Sequence, residues 1–153
     1  MKKILIASDH GGFELKGKLM KWLEESMPDV EVEDHGAYRF DANDDYPKFA
    51  FPVAEAVVKS RGESIGILIC RSGNGMAIAA NKVKGIRAAL CFTSEHARKA
   101  VEHDHANVVV LDADYIGDQE HEQIVWAFLN AEPEVSGRHQ RRVEQISYYE
   151  GRN

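Results

Sequence analysis

The sequence predicts one doubly wound α/β domain, and three observations predict it. Five short apolar runs alternate with helical stretches from end to end. The runs are mostly apolar throughout, as strands are in a parallel sheet that helices cover on both faces. The length of 153 residues, 44% of them hydrophobic, suits a single sizeable core. No linker, internal repeat or low-complexity stretch divides the chain, so one domain is expected over residues 1–153.

Taken in order, the first strand is expected over Lys2–Ser8 and leads to a helix whose apolar face carries Leu15, Leu19, Trp22 and Leu23. A second strand over Val30–Gly36 precedes a helix that presents Phe51, Ala54, Val57 and Val58. The third strand, Ser64–Cys70, ends on a cysteine, and a glycine-rich turn then opens the next helix. Ile86–Cys91 is the fourth strand, followed by a helix that Thr93 or Ser94 is placed to cap and that runs to His103. Asn107–Asp112 is the fifth strand, and Ile124, Val125, Phe128 and Leu129 mark the helix after it. Gly62, Gly85 and Gly117 punctuate the connections. Beyond Pro133 a basic helix lies outside the alternation.

Composition excludes several classes of function. The net charge of −6 is spread along the chain, and the one local basic cluster, Arg138–Arg142, is too short to track a phosphodiester backbone, so no nucleic acid is expected. Cys70 and Cys91 have no spacing that suggests a zinc site or a disulfide framework. The start MKKILIASDH runs straight into a polar turn, and no apolar run approaches the ~20 residues that cross a bilayer. A reducing, cytoplasmic setting without membrane contact is expected. His103 and His105, two apart, make no helical metal face, and His121-Glu122 lacks a second histidine, so no metal is expected. Gly73–Ile78 resembles half of a dinucleotide fingerprint but lacks its third small residue, so no nucleotide cofactor is expected either.

Ligands of open α/β sheets bind beyond the carboxyl ends of the strands, which singles out the polar residues after each run. Asp9 and His10 follow the first strand, with Gly11 and Gly12 allowing a tight turn. An acid and an imidazole there could hold and polarise a hydroxyl-rich substrate, or Asp9 could simply cap the first helix. Cys70 is followed by Arg71, Ser72, Gly73, Asn74 and Gly75, whose amides and helix N-terminus suit an anion and favour the thiolate. His103 and His105 precede the fifth strand and are expected close to the same sheet edge. Cys91 reads as a small buried apolar residue. Arg138 and Arg142, four apart on one helical face, could share a phosphate or form a solvated basic face.

Several segments in combination go further: SDHGGFELK at the start, DYP at Asp45–Pro47, the cysteine with SGNG and IAANK after it, GIRAAL, EH…AN over Glu102–Asn107, and GRHQRRV near the end. On these the chain resembles the ribose-5-phosphate isomerase B family, which includes the galactose-6-phosphate isomerase subunits. The resemblance implies a Rossmann-like three-layer α/β/α sandwich with a five-stranded parallel sheet and an additional C-terminal helix. It further implies a homodimer, or a larger oligomer built from it, with shared active sites, no metal or organic cofactor, and interconversion of aldose and ketose phosphates in pentose phosphate metabolism. Carried over by position, Cys70 would move a proton between C1 and C2 and His103 would open the sugar ring. Asp9 and Ser72 would hold hydroxyls or the ring oxygen, and the Gly73, Asn74 and Gly75 amides would hold the enediolate. His10, Arg138 and Arg142 would bind phosphate, and Tyr46 would line the substrate site.

Three positions depart from the family's pattern: Arg71 stands for glycine, Asp104 for asparagine and Asp114 for arginine. All three are expected against the substrate, with Arg71 either neutralising Asp114 or taking over the anion contact. The alternatives are therefore an isomerase of a different tetrose, pentose or hexose phosphate, or a non-catalytic sugar-phosphate-binding paralogue. Thiol redox sensing by Cys70 ranks below both, because no resolving cysteine lies near it in sequence.

Overall fold

The computed structural model describes residues 2–151. Strand β1 (Lys3–Ser8) is followed by a 3-10 turn (His10–Gly12), helix α1 (Phe13–Ser26), β2 (Val32–Asp34), α2 (Pro47–Lys59), β3 (Ser64–Cys70) and α3 (Asn74–Ala80). Then come β4 (Ala88–Leu90), α4 (Ser94–Asp104), β5 (Val108–Asp112), α5 (Asp118–Asn130) and α6 (Gly137–Gly151). The five strands form one all-parallel sheet in the order β2-β1-β3-β5-β4. This is the three-layer α/β/α sandwich, with its extra C-terminal helix, that the sequence and the resemblance imply.

Strand alternation sorts the core into two layers. Ile4, Ile6, Ile65, Ile67, Ile69, Val109 and Leu111 meet α1, α4 and α5 through Leu15, Leu19, Leu23, Val101, Ile124 and Phe128. The residues between them, among them Leu5, Ala7, Leu68 and Cys70, meet α2 and α3. Each fully buried Ile or Leu contributes roughly 1.5–3 kcal/mol. Trp22 and Leu129 pack against the first layer, half-buried.

Two expected details are corrected and a third is decided. The second and fourth strands are three-residue edge strands, Val32–Asp34 and Ala88–Leu90, because they pair on one side only. In α2 the inward face is Ala50, Val53, Ala54 and Val57, while Phe51 and Val58 are 40% and 39% exposed. Small residues turn inward there because they let the helix lie close on the sheet. Of the two candidates for the α4 cap, Thr93 does the work, accepting from the His96 amide at 3.1 Å.

The topology positions the chemistry. From β1 the chain crosses to β2 on one side, while β3 lies on the other, so the carboxyl ends of β1 and β3 open side by side at a switch point. Helix α6 packs on α4, buries Val143, and leaves Ile146 and Tyr149 exposed. Among the described residues no helix is long and apolar enough to cross a membrane.

Candidate active site

At the carboxyl edge, Asp9 follows β1 in extended backbone and its Oδ1 accepts from the amides of Gly11 (2.9 Å) and Gly12 (3.2 Å). It does cap the turn that follows it. Gly12 has to be glycine, because a Cβ would fall 2.6–2.8 Å from Ile69. Burial pushes the Asp9 carboxyl above its ordinary range despite these two bonds.

Cys70 ends β3 on the α2–α3 side and is 5% exposed. The amides of Met76, Gly73 and Gly75 favour its thiolate, but burial, the largest effect, and the Asp9 charge push the thiol up. The expected thiolate is therefore not what this chain alone provides. The loop is tightly built: Gly73 takes φ +77°, and the Tyr46 ring lies where a Gly75 Cβ would be, within 2.8–3.0 Å. Ser72 Oγ accepts from the Asn74 amide at 3.4 Å, closing a turn over the start of α3. The Gly73 and Gly75 amides thus face Cys70, and Tyr46 packs on the same loop at Gly75.

His10, on the other side of Asp9, places ring Nδ1 2.7 Å from Asp44 Oδ1. Asp44 lies in the segment between β2 and α2, which buried Lys16 anchors by donating from Nζ to Asp34 Oδ1 (2.6 Å) and the Ala37 carbonyl (2.7 Å). Arg71 and Asp114 do meet: the Ala113 and Asp114 amides donate to the Arg71 carbonyl, and Arg71 Nη1 stands 3.5 Å from Asp114 Oδ1. His10, Arg71 and Asp114 line a cleft of about 500 Å³ between α1 and the exit of β5.

His103 and His105, and Asp104 between them, are not at this edge, which corrects the placement expected for the two histidines. They end α4 and lead into β5, whose last residue, Asp112, pairs with Cys70 while its first, Val108, pairs with Gly66. A residue that precedes a strand sits at its amino end however short the connection. Five residues at about 3.3 Å each put roughly 15 Å of strand between the two sets of groups.

At this amino edge the His103 ring stacks on His139 of α6, centroids 4.0 Å apart and planes 13° from parallel. Glu134 approaches both, at 3.8 and 3.7 Å. Burial, then the charge of His103, and beyond these Arg138 and Arg142, hold His139 below the usual imidazole range. Arg138 Nε stands 3.4 Å from His139 Nε2, which puts it one ring away from His103. His103, Glu134 and His139 offer ligand atoms within 4.8 Å of one another, as do Asp9, His10 and Asp44. In the first group the rings lie face to face, so an ion between them would sit out of both ring planes. In the second, His10 Nδ1 is already bonded to Asp44.

Sequence reasoning missed Asp44, Lys16, Glu134 and His139. His139 stood inside the quoted GRHQRRV segment, between the two arginines; Asp44 sits among other acids, with nothing local to mark it. Cys91 is fully buried and its thiol is pushed up to about 12 by that burial, which makes it inert, as expected.

Comparison with known proteins completes the picture. The model of the Ribose/Galactose Isomerase family matches residues 4–146. The chain is 48% identical over 147 residues to the probable ribose-5-phosphate isomerase B of Mycoplasma genitalium, covering 96% of this chain and 95% of that protein. It is 41% identical over 152 residues to ribose-5-phosphate isomerase B of Escherichia coli, with 99% of each covered. Among solved structures, the Mycoplasma genitalium enzyme with bound ribulose-5-phosphate superposes with a TM-score of 0.93 at 46% identity, over 99% of this chain and 97% of that one. The Thermotoga maritima ribose 5-phosphate isomerase gives 0.88 at 44% identity, over 96% and 98%. The chain belongs to the ribose/galactose isomerase family, and it is an aldose–ketose isomerase.

Proposed function

We propose that the chain interconverts ribose 5-phosphate and ribulose 5-phosphate as a homodimer, with each active site built from the carboxyl edge of one protomer and the amino edge of its partner. The partner's His103 opens the sugar ring. Cys70 Sγ then takes the proton from C2 of the aldose and returns it to C1, and the reverse reaction runs the same steps backwards. The Gly73–Gly75 amides donate to the enediolate oxygen as charge develops on it. Asp9 and Ser72 hold substrate hydroxyls, while His10 and the partner's Arg138 and Arg142 hold the phosphate. We place the reaction in the cytoplasm and in pentose phosphate metabolism, as the resemblance of the sequence implies.

One observation carries the reading. The chain gathers a thiol, a buried carboxylate and loop amides at a single sheet edge, and leaves the imidazole and arginine pair that the reaction also needs at the far end of β5. A second protomer is the economical way to unite them. The mixed, largely exposed Arg71–Asp114 pair on the cleft favours a second reading, a sugar phosphate of different length.

An isomerisation screen over aldose and ketose phosphates of four to six carbons tests both. Ribose 5-phosphate is expected to be the best aldose, and Cys70→Ala is expected to lower its turnover by at least ~100-fold while substrate binding persists. Faster turnover of a four- or six-carbon substrate supports the second reading. Binding without turnover of any sugar marks a non-catalytic module.

A further inference from the structure

His10 makes two hydrogen bonds to one carboxylate oxygen: its main-chain amide donates to Asp44 Oδ1 at 3.0 Å, and ring Nδ1 lies 2.7 Å from the same atom. An ionised carboxylate only accepts, so Nδ1 carries the proton and Nε2 is the nitrogen left for the cleft that His10 lines. We propose that Asp44 is a positioning residue, which holds Nδ1–H of His10 inward and so turns Nε2 toward the anionic end of the substrate, to which it donates once the ring carries its second proton. This rests on the assignment of His10 to the phosphate.

Asp44 is a poor candidate for stability alone. Its side chain is 7% exposed, and Oδ2 is buried with no hydrogen-bond partner among the described residues. A buried carboxylate with one oxygen unserved is costly, and the surrounding segment does not need it as an anchor. Lys16 already holds the start of that segment, and Tyr46 packs on Gly75 at its end.

The ring does need fixing. Asp9 also lies in this cluster, its carboxylate within 4.8 Å of the nearest Asp44 oxygen and His10 ring nitrogen, so an unrestrained imidazole would have two acids to choose between. Phe40 closes one side, edge-on to His10 at 6.4 Å and 87°, and is itself packed edge-on against Phe13 at 6.2 Å. The bond to Asp44 then selects the one orientation with Nδ1 inward.

Steady-state kinetics and histidine 15N spectra of the full-length dimer test this. Asp44→Ala is expected to raise KM about 10-fold with kcat within about 3-fold, and Asp44→Asn, which keeps an acceptor oxygen, to raise it no more than about 3-fold. In a His10→Gln background, where KM is already high, Asp44→Ala should add less than about 2-fold, because the two act as one unit. The spectra, at a pH where the ring is neutral, should show a protonated Nδ1 and a bare Nε2 for His10 in the parent protein, and lose that pattern in Asp44→Ala. The same KM increase from Asp44→Ala in both backgrounds overturns the proposal, as does the Nε2–H tautomer of the neutral ring in the parent. If His10→Gln leaves KM unchanged, the phosphate assignment of His10 fails, and the positioning role falls with it even where the spectra show the Nδ1–H form.

Discussion

The two ends of the sheet carry different kinds of chemical group, held in different ways. At the carboxyl edge Asp9 and Cys70 stand at strand ends, 6% and 5% exposed, fixed by parallel pairing and by main-chain amides. At the amino edge His103, with its side chain 31% exposed, stands on a helix end, and the arginines project from α6, which touches the rest of the chain mainly through α4. Carbon-acid chemistry needs a dry, rigid environment, where donors and base are already aimed when charge develops. Ring opening and phosphate capture tolerate solvent and gain from groups that a partner can bury later. On the proposed function, the chain builds the first kind of site by itself and a partner completes the second.

The largest expected effect follows from that division. Cys70→Ala and His103→Asn homodimers should each lose at least ~100-fold in activity. Unfolding the two variants together and refolding them should then restore about a quarter of the parent activity: half the dimers are mixed, and one of the two sites in each pairs an intact Cys70 with an intact partner His103. A site contained within one chain would recover nothing, since every chain carries one lesion. No recovery, with mixed dimers demonstrated by mass, therefore refutes the composite site.

A smaller effect separates the two cysteines and tests whether burial dominates the carboxyl edge. Burial raises the Cys70 thiol above its ordinary range, so at neutral pH it is protonated and should alkylate more slowly than a free thiol. Its rate with iodoacetamide should still be climbing at pH 9 without a plateau, and kcat/KM should rise in the same direction. Cys91, pushed up to about 12, should stay unmodified until the protein unfolds. A plateau near pH 7 would mean that the amides of the Gly73–Met76 turn outweigh desolvation after all.

Residue by residue, the sequence was legible where chemistry follows a long apolar run. β1 and β3 announce themselves, and Asp9, Cys70 and the glycine loop come directly after them. It was less legible where pattern is ambiguous. Helix α2 is apolar on several sides, so Phe51 and Ala50 fit a stripe equally well, and only the closeness of the sheet decides for alanine. His103 lies at the other edge than its nearness in sequence to β5 suggests, because a residue that precedes a parallel strand sits at the strand's amino end. Asp44 could not be read at all: it lies 34 residues from His10, and no local rule couples them. The direction of the Cys70 shift was likewise hidden, since burial there comes from segments far along the chain.

The smallest effect concerns Arg71 and Asp114, the one charge pair that sequence departures brought to attention and that the structure does bring together. Their side chains are 65% and 39% exposed, and 3.5 Å is the outer limit of a hydrogen bond. Solvent competes for both groups, so the pair should couple by less than about 0.5 kcal/mol in a double-mutant cycle on unfolding with Arg71→Ala and Asp114→Ala, and the coupling should shrink in high salt. In kcat/KM the two substitutions should be additive to within about 0.5 kcal/mol if the pair is only a rim contact of the cleft. A coupling above about 1 kcal/mol in kcat/KM, absent from stability, would instead mean that bound substrate desolvates the pair and draws it into the site. The carboxyl edge would then also hold a group that only occupancy completes, and the contrast between a finished half-site and an unfinished one would have to be redrawn.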